Sequence, residues 1–198
     1  MPRDQLVTDW VASRFPEQSI QITPASADAS FRRYFRLTWP DGQTRILMDA
    51  PPEKEDCKPF IHVAGLLAKA DLAAPRILDK DLDNGFLVLT DLGRIGYLDA
   101  LNADLSLADM LMRPVLDVLV KWQCSSTAAT LPPYDAALLR RELDLFPEWF
   151  IGRHLGVELD DSEKTMLDRT FKFLINSALN QPKVFVHRDF MPRNLMVV

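Results

Sequence analysis

The feature that most constrains the fold lies at residues 184–198, which read VFVHRDFMPRNLMVV. A short apolar run leads directly into His187, Arg188 and Asp189, and Asn194 follows the aspartate by five residues. A carboxylate can accept a proton and an amide oxygen can bind a metal ion, so the two side chains can share one chemical task if they face the same small volume. The segment therefore predicts a buried strand, residues 184–187, that ends in a tight loop. The alternative is a surface turn with ordinary charges.

Composition and charge exclude several classes of protein. Hydrophobic residues make up 47% of the 198 residues, which is enough to bury a core. The net charge of −5 gives no general attraction to nucleic acid or anionic lipid, so we expect neither a nucleic-acid partner nor a membrane partner. The charged N-terminal residues contain no apolar signal-peptide core, and no stretch is as long and apolar as a membrane span. Cys57 and Cys124 are expected to be reduced thiols, which favours a cytoplasmic location.

The first half of the chain combines strand patterns with two helical patterns. β-Branched and aromatic residues alternate in segments bounded by turn residues, which predicts antiparallel strands. These segments are residues 20–25, 31–38, 44–49 and 85–93, and the last forms a hairpin with residues 76–78. Asn84-Gly85 suits the turn before the last of them. Helices are predicted over residues 4–15 and from the acidic residues 53–56 onward, after Pro51 and Pro52.

The second half changes character at about Gly93. Apolar residues recur at helical spacing over 105–124, 135–155 and 161–180. Pro114 lies inside the first of these segments and predicts a kink or an early end there. The order of elements predicts an α+β fold with two lobes. Residues 1–93 form an antiparallel, β-rich lobe that ends in a hinge at residues 89–93, and residues 94–198 form a helical lobe.

The motif, together with the strand before it, resembles the catalytic loop H-R-D-x-x-x-x-N of protein-kinase-like phosphotransferases. The stretch VHRDFMPRNLMVV is similar to the loop of the aminoglycoside phosphotransferase and choline-kinase-like family, which has the protein-kinase-like fold. Four further stretches look like one branch of that family, the bacterial kinases that phosphorylate the anomeric hydroxyl of N-acetylmuramate and N-acetylglucosamine in cell-wall recycling. They are SADASFRRYFRL, ILMDAPPEKEDCKPFIHVAGLL, GFLVLTDLG and LLRRELDLFPEWF.

The resemblance implies a role for each matching residue. Asp189 would be the catalytic base, Asn194 would bind Mg²⁺, and His187 and Arg188 would brace the loop. The phosphates of ATP would lie under a loop of small residues whose main-chain N–H groups bind them, namely Ser26, Ala27, Asp28, Ala29 and Ser30. The adenine would face main-chain groups of Asp91 and Leu92. For Ser26–Ser30 a polar hairpin turn, and for residues 90–93 an ordinary edge strand, stay open as alternatives.

Two departures from the family pattern bear on activity. Kinases of this fold usually carry a lysine on the third strand, where this chain has Met48, and Arg32, Arg33 or Arg45 would have to supply the positive charge instead. Glu53, Glu55 and His62 are possible partners for such a cation, and their spacing distinguishes none of them. The alternative is that these arginines are solvated strand residues. The Mg²⁺-binding aspartate that the family places beyond the asparagine has no counterpart before Val198. The chain thus resembles a C-terminally truncated kinase, and we expect it to show little or no phosphotransfer.

The expected reaction is transfer of the γ-phosphoryl group of ATP, with Mg²⁺, to a small sugar acceptor. Three alternatives remain: an aminoglycoside kinase, a kinase for another small molecule such as choline or homoserine, and a non-catalytic pseudokinase or inactive fragment. Trp149 could stack on a sugar ring, or it could belong to an amphipathic core helix in which Leu139, Leu143, Phe146 and Phe150 pack inward. The oligomeric state is left open.

Overall fold

The structure is a computed structural model that describes residues 2–16, 18–27, 30–127 and 130–198, without the side chain of Ala27. Its Cα positions divide the chain into two compact units, Met1–Trp122 with Asp189–Val198 and Gln123–Arg188. The first unit contains an antiparallel sheet and several helices, and the second is helical. The predicted α+β class is therefore confirmed. The predicted lobe boundary at residue 93 stays a prediction.

The sheet of the first unit has five strands in the order β1-β2-β3-β5-β4, and all neighbours are antiparallel. The strands are β1 (Gln21–Ala27), β2 (Arg33–Thr38), β3 (Thr44–Asp49), β4 (Ile77–Asp81) and β5 (Phe86–Thr90). Pro24 is tolerated in β1 because this strand lies at the edge and its register shifts between Pro24 and Ser26. Gly85 has a φ of +73° and lies against the main chain of Ala50, so the predicted Asn84-Gly85 turn needs a residue without Cβ.

Each face of the sheet is covered by one helix, which creates two apolar clusters. Helix α1 (Arg3–Arg14) buries Val7, Trp10 and Val11 against strand residues that include Leu37 and Phe86. On the other face, Phe60 and Ile61 of helix α2 (Lys58–Lys69) pack on the second cluster, which comprises Met48, Ala50, Cys57, Leu87 and Leu89. We call these the α1 face and the α2 face of the sheet. The period of two along each strand decides which side chains reach each face.

Most of the remaining helices follow the predicted segments with shifted ends, but α3 was not predicted. They are α3 (Tyr97–Ala103), α4 (Ala108–Cys124), α5 (Ala136–Leu145), a π-helix (Phe146–His154) and α6 (Asp161–Leu179), with short 3₁₀ turns at Leu105–Leu107 and Pro192–Asn194. Helix α6 begins with a capping box between Asp160 and Glu163. None of the helices in the described part of the chain combines the length and the apolar character of a bilayer span.

Two local predictions were wrong, and one of two alternatives was excluded. Helix α2 begins at Lys58, so residues 53–56, three of which are acidic, precede it rather than form its first turn. Helix α4 continues through Pro114, so it does not end early there, and the alternative of a kink stays a prediction. Residues 184–187 form no strand in the structure, because a strand needs a paired neighbour and the ladders of the described residues join only β1–β5. Phe185 alone in this segment is buried, and its N–H donates to the hydroxyl of Ser126 at 2.6 Å.

The two free cysteines differ in burial, which predicts different reactivity. Cys57 lies in the cluster on the α2 face, and burial raises the pKa of its thiol, whereas Cys124 is exposed. Since the thiolate is the reactive form, we expect dithionitrobenzoate to label Cys124 rapidly and Cys57 only after denaturation. Cys124→Ser should remove the rapid phase of colour release from the native protein. Rapid release of two thiols per chain would contradict this placement of Cys57.

Candidate active site

The predicted base and the predicted metal ligand lie side by side at the surface of the first unit. The chain turns back after Asp189 through the 3₁₀ turn Pro192–Asn194, which the N–H of Asn194 closes on the carbonyl of Met191 at 2.9 Å. The Nδ2 of Asn194 donates to the Oδ2 of Asp189 at 2.7 Å and to its main-chain oxygen at 3.0 Å. Both side chains are exposed. The loop therefore presents a carboxylate and an amide to solvent in one small volume.

This pair offers oxygen ligands of the kind that Mg²⁺ binds. Because Asn194 uses its nitrogen to hold Asp189, its Oδ1 is the atom left to face a cation. Mg²⁺ is usually held by one or two protein oxygens together with phosphate oxygens and water, so the two residues fit an ion that arrives with a nucleotide. Among the described residues, no group of three or more His, Cys, Asp or Glu side chains could hold a metal without such help.

The segment beyond Asn194 is fastened to the segment that follows Gly93. The N–H of Tyr97 donates to the carbonyl of Leu195, and the N–H of Val197 donates to the carbonyl of Ile95, both at 2.9 Å. Gly96 and Met196 form an antiparallel bridge between these two bonds. Residues 95–97, which follow the predicted adenine-binding segment, thus hold residues 195–197, which follow the predicted metal ligand.

Arg188 has a strained backbone and a well-defined partner in the second unit. Its φ of +71° is rare for a side chain with a Cβ and is typical of residues held by their surroundings. Its guanidinium binds the carboxylate of Glu142 on α5 and lies over the ring of Tyr134, with 5.7 Å from Cζ to the ring centroid. His187 is exposed. That these two residues brace the loop stays a prediction.

Glu142 also accepts a hydrogen bond from the hydroxyl of Tyr134. This bond is the main cause that holds the pKa of Glu142 below its usual range. Burial acts to raise this pKa, and the Arg188 guanidinium adds to the lowering. The same bond raises the pKa of Tyr134. Glu142 is therefore ionised at neutral pH and can fix the side chain of Arg188. No local pattern in the sequence indicates this partner, which lies 46 residues before Arg188.

The predicted phosphate loop lies partly within strand β1. Ser26 and Ala27 pair with Tyr34 and Arg33 of β2, so the strand continues beyond the predicted end at residue 25. Asp28 and Ala29 lie outside the described residues. Ser30 is exposed, and its hydroxyl accepts a hydrogen bond from the N–H of Arg32 at 3.1 Å. The role of residues 26–30 in phosphate binding stays a prediction.

The structure separates the three arginines that could replace the strand lysine. Arg33 binds Asp49 and Asp4, and Arg45 lies over the ring of Trp39, so both are engaged on the α1 face. Arg32 binds Glu55, the residue that also accepts the N–H of Phe31.

Arg32 is the arginine of these three that lies on the α2 side. Its Cζ is 5.9 Å from the ring centroid of Phe60. The contact between its Nε and Glu55, at 3.1 Å, does not occupy its two Nη groups, which can face a phosphate. Met48, at the usual lysine position, is 0% exposed within the cluster on the α2 face. A charged side chain at that position would lose its water, so Arg32 is the better placed cation.

The predicted adenine-binding segment is held by a contact that sequence analysis missed. Arg36 on β2 donates to both carboxylate oxygens of Asp91 at 2.5 and 3.0 Å and to the carbonyl of Gly93 at 2.6 Å. Burial acts to raise the pKa of Asp91, but the hydrogen bonds from Arg36 and from the N–H of Gly93 hold it below its usual range. Leu92 lies between the two held residues and is partly buried. Strand periodicity places Arg36 on one face with Arg32 and Tyr34, but it indicates no partner.

Trp149 lies in the second unit on the π-helix and is 52% exposed, with the guanidinium of Arg153 stacked on its ring at 3.8 Å. Phe146 and Phe150 stack on each other, but they are 46% and 48% exposed. The expected inward packing of these two rings is therefore not seen. Contact of Trp149 with a sugar remains a hypothesis.

Comparison with known proteins gives consistent matches. A family model described as the phosphotransferase enzyme family matches residues 21–198. The chain is 51% identical over 206 residues to the N-acetylmuramate/N-acetylglucosamine kinase of Pseudomonas aeruginosa, which covers 98% of this chain and 60% of that protein. It is 53% identical to the kinase of the same name from Pseudomonas putida, over 88% of this chain and 51% of that protein. For the kinase of that name from Neisseria meningitidis serogroup B the identity is 39%, over 100% of this chain and 59% of that protein. The chain thus spans about half to three fifths of the length of these relatives.

Proposed function

Because this chain belongs to the phosphotransferase enzyme family, we propose that the protein transfers the γ-phosphoryl group of ATP to a hydroxyl group of a small sugar. The acceptor we propose is the anomeric hydroxyl of N-acetylmuramate or N-acetylglucosamine, the two sugars that appear in the names of the relatives. The observation that carries the proposal is the 2.7 Å contact between Asn194 and Asp189. It holds a candidate base next to a candidate ligand for the metal of the nucleotide.

In the proposed mechanism, Asp189 orients the sugar hydroxyl and accepts its proton while the hydroxyl oxygen bonds to the γ-phosphorus of ATP. The bond from that phosphorus to the bridging oxygen breaks at the same step, so ADP leaves. Asn194 would hold Mg²⁺ through its Oδ1, and the ion would supply positive charge to the phosphate oxygens. Main-chain N–H groups of residues 26–30 and the Nη groups of Arg32 bind phosphates, and Glu55 keeps Arg32 in place. Main-chain groups of Asp91 and Leu92 bind the adenine.

The same proposal covers the organisation and setting of the protein. Residues 1–93 form the nucleotide-binding lobe with its hinge, and residues 94–198 belong to the helical lobe. The protein acts in the cytoplasm on ATP and a small sugar, without nucleic-acid or membrane partners. The net charge of −5 supports the last point, since it favours neither DNA nor anionic lipid.

Because residues 1–198 alone are expected to show little or no transfer, the direct test uses the protein extended to the length of its relatives. This protein is incubated with γ-³²P-labelled ATP, Mg²⁺ and each sugar, and the products are separated. We expect a labelled sugar phosphate that no longer reacts as a reducing sugar, because the anomeric hydroxyl has been used. The matched control acceptor is the methyl glycoside of N-acetylglucosamine, which lacks a free anomeric hydroxyl and should remain unlabelled.

Three results would contradict the proposal. Label in the methyl glycoside would place the transfer on another hydroxyl. Label in an aminoglycoside but in neither sugar would favour an antibiotic kinase. Binding of ATP without any labelled product would favour a non-catalytic nucleotide-binding module.

A further inference from the structure

The contact between Arg36 and Asp91 is a two-point salt bridge in a place where little water remains. The side chains of Arg36 and Asp91 are 10% and 5% exposed. Nε and Nη2 of Arg36 reach the two carboxylate oxygens of Asp91, and Nη2 also reaches the carbonyl of Gly93. The N–H of Gly93 in turn donates to the Oδ1 of Asp91 at 2.9 Å. We call these three residues the β2 clamp.

The β2 clamp joins two parts of the chain that are not neighbours in the sheet. Arg36 lies on β2 and pairs in register with Ile46 of β3, which pairs in turn with Leu89 of β5. Asp91 and Gly93 follow the end of β5. The guanidinium therefore crosses the α2 face of β3 to reach the segment beyond β5, 55 residues away along the chain.

Stability alone gives little reason for such a contact. Moving two charges out of water costs about as much free energy as their attraction returns. A protein with apolar residues in the same space is often as stable or more stable. A buried, bidentate pair does fix geometry, because the planar guanidinium matches the carboxylate in one orientation. The clamp thus determines the path of residues 91–93 more than it strengthens the sheet.

The atoms that the clamp uses are also informative. It occupies the carboxylate of Asp91 and the main-chain N–H and carbonyl of Gly93. These contacts do not occupy the main-chain groups of Asp91 and Leu92. Gly93 has a φ of +103°, a conformation that glycine adopts without strain, so the chain can turn directly after the clamp.

We propose that Arg36 is a positioning residue for nucleobase recognition: through Asp91 and Gly93 it holds residues 91–92 so that their main-chain groups meet the adenine of ATP. This inference rests on the proposed function. Arg36 itself does not contact the nucleotide. The clamp fixes the main-chain donors and acceptors before ATP binds, and such preorganisation lowers the entropic cost of binding.

The test measures nucleotide affinity in three proteins: wild type, Arg36→Lys, which keeps the charge but loses the two-point contact, and Asp91→Asn, which keeps the shape but loses the charge. Competition against a fluorescent ADP analogue gives the Kd of ATP, and competition by inorganic tripolyphosphate gives the affinity for phosphates without a base. We expect each variant to bind ATP about 10-fold or more weakly, because the displaced main-chain donor and acceptor lose their hydrogen bonds to the adenine. Tripolyphosphate should bind equally well to all three proteins.

The matched control is Arg45→Lys. Arg45 lies on β3, next to β2, but on the α1 face over the ring of Trp39. The substitution should therefore leave the affinities for ATP and for tripolyphosphate unchanged. If Arg36→Lys fails to fold, Asp91→Asn provides the same comparison of affinities. Hydrogen exchange of the wild type provides an independent test, in which ATP should protect the amide of Leu92.

Each outcome has one meaning. Equal ATP affinity in folded variants, an equal loss of ATP and tripolyphosphate affinity, or no protection of Leu92 would overturn the clamp proposal alone. Failure of the wild type to bind ATP would overturn the proposed function and the clamp with it. Selective loss of ATP binding supports the clamp even if the acceptor is a different sugar.

Discussion

Asp189→Asn is expected to lower kcat for sugar phosphorylation by about 10²–10⁴, the usual contribution of a positioned general base. Asparagine has nearly the same shape and can still contact Asn194, which now reaches Asp189 at 2.7 Å. It cannot accept the proton of the sugar hydroxyl. Since the loss concerns the chemical step, KM for ATP should change little. The rate of product formation at saturating ATP and sugar measures the effect.

The control for this experiment is Asp161→Asn, which removes an exposed carboxylate from the first turn of α6. Its kcat should equal that of the wild type. Circular dichroism should show the same helix content in all three proteins, because Asp189 is exposed and is not part of the apolar core. An Asp189→Asn protein with wild-type kcat would remove Asp189 from the mechanism.

Local chemistry predicted most of the sheet. The strand segments were found because β-branched and aromatic residues lie between strong turn signals, and Asn84-Gly85 occupies the turn before β5 as expected. The pair of Asp189 and Asn194 was found because a fixed spacing within one loop is a local property. Features determined by fewer than about ten consecutive residues were thus accessible from the sequence.

The start of α2 shows where local rules gave the wrong answer. Acidic residues after prolines are typical of a first helical turn, but here they precede the helix. Asp56 accepts the N–H of Lys58 at 2.9 Å, and Glu55 binds Arg32 and the N–H of Phe31. Glu55 thus forms an ion pair with Arg32 instead of entering the first helical turn. No local pattern in the sequence indicates which carboxylate an arginine in another element will bind.

Long-range ion pairs were missed for the same reason. The alternation along β2 correctly separated Arg33 from Arg32 and Arg36 by face, but the partners lie up to 55 residues away. A charged residue in a strand is normally solvated, so no pattern in the sequence indicates that Arg36 is buried. These pairs come from tertiary packing, and they now give the candidate site its most specific residues.

Asp49→Asn is expected to destabilise the fold by about 3 kcal/mol, the lower end of the usual cost of breaking a buried ion pair by removing one partner, since the side chains of Arg3 and Arg33 are 25% and 39% exposed. Asp49 is 0% exposed and accepts hydrogen bonds from Arg3 at 2.8 and 2.6 Å and from Arg33 at 3.0 and 2.6 Å. These arginines come from α1 and β2, so one carboxylate on β3 joins three elements. The amide of asparagine carries no negative charge to balance the two guanidiniums. Its NH₂ group is a hydrogen-bond donor and would face the N–H donors of an arginine.

Urea denaturation followed by circular dichroism measures the loss, with the slope checked so that a change in midpoint reports stability. The matched control is Asp79→Asn. Asp79 also joins α1 to the sheet, through Arg14, but this pair is largely exposed and its removal should shift the midpoint only slightly. Arg33→Met in the Asp49→Asn background should recover part of the loss, because it removes one of the two guanidiniums that face the substituted side chain. Equal midpoints for Asp49→Asn and Asp79→Asn would mean that Asp49 does not hold α1, β2 and β3 together.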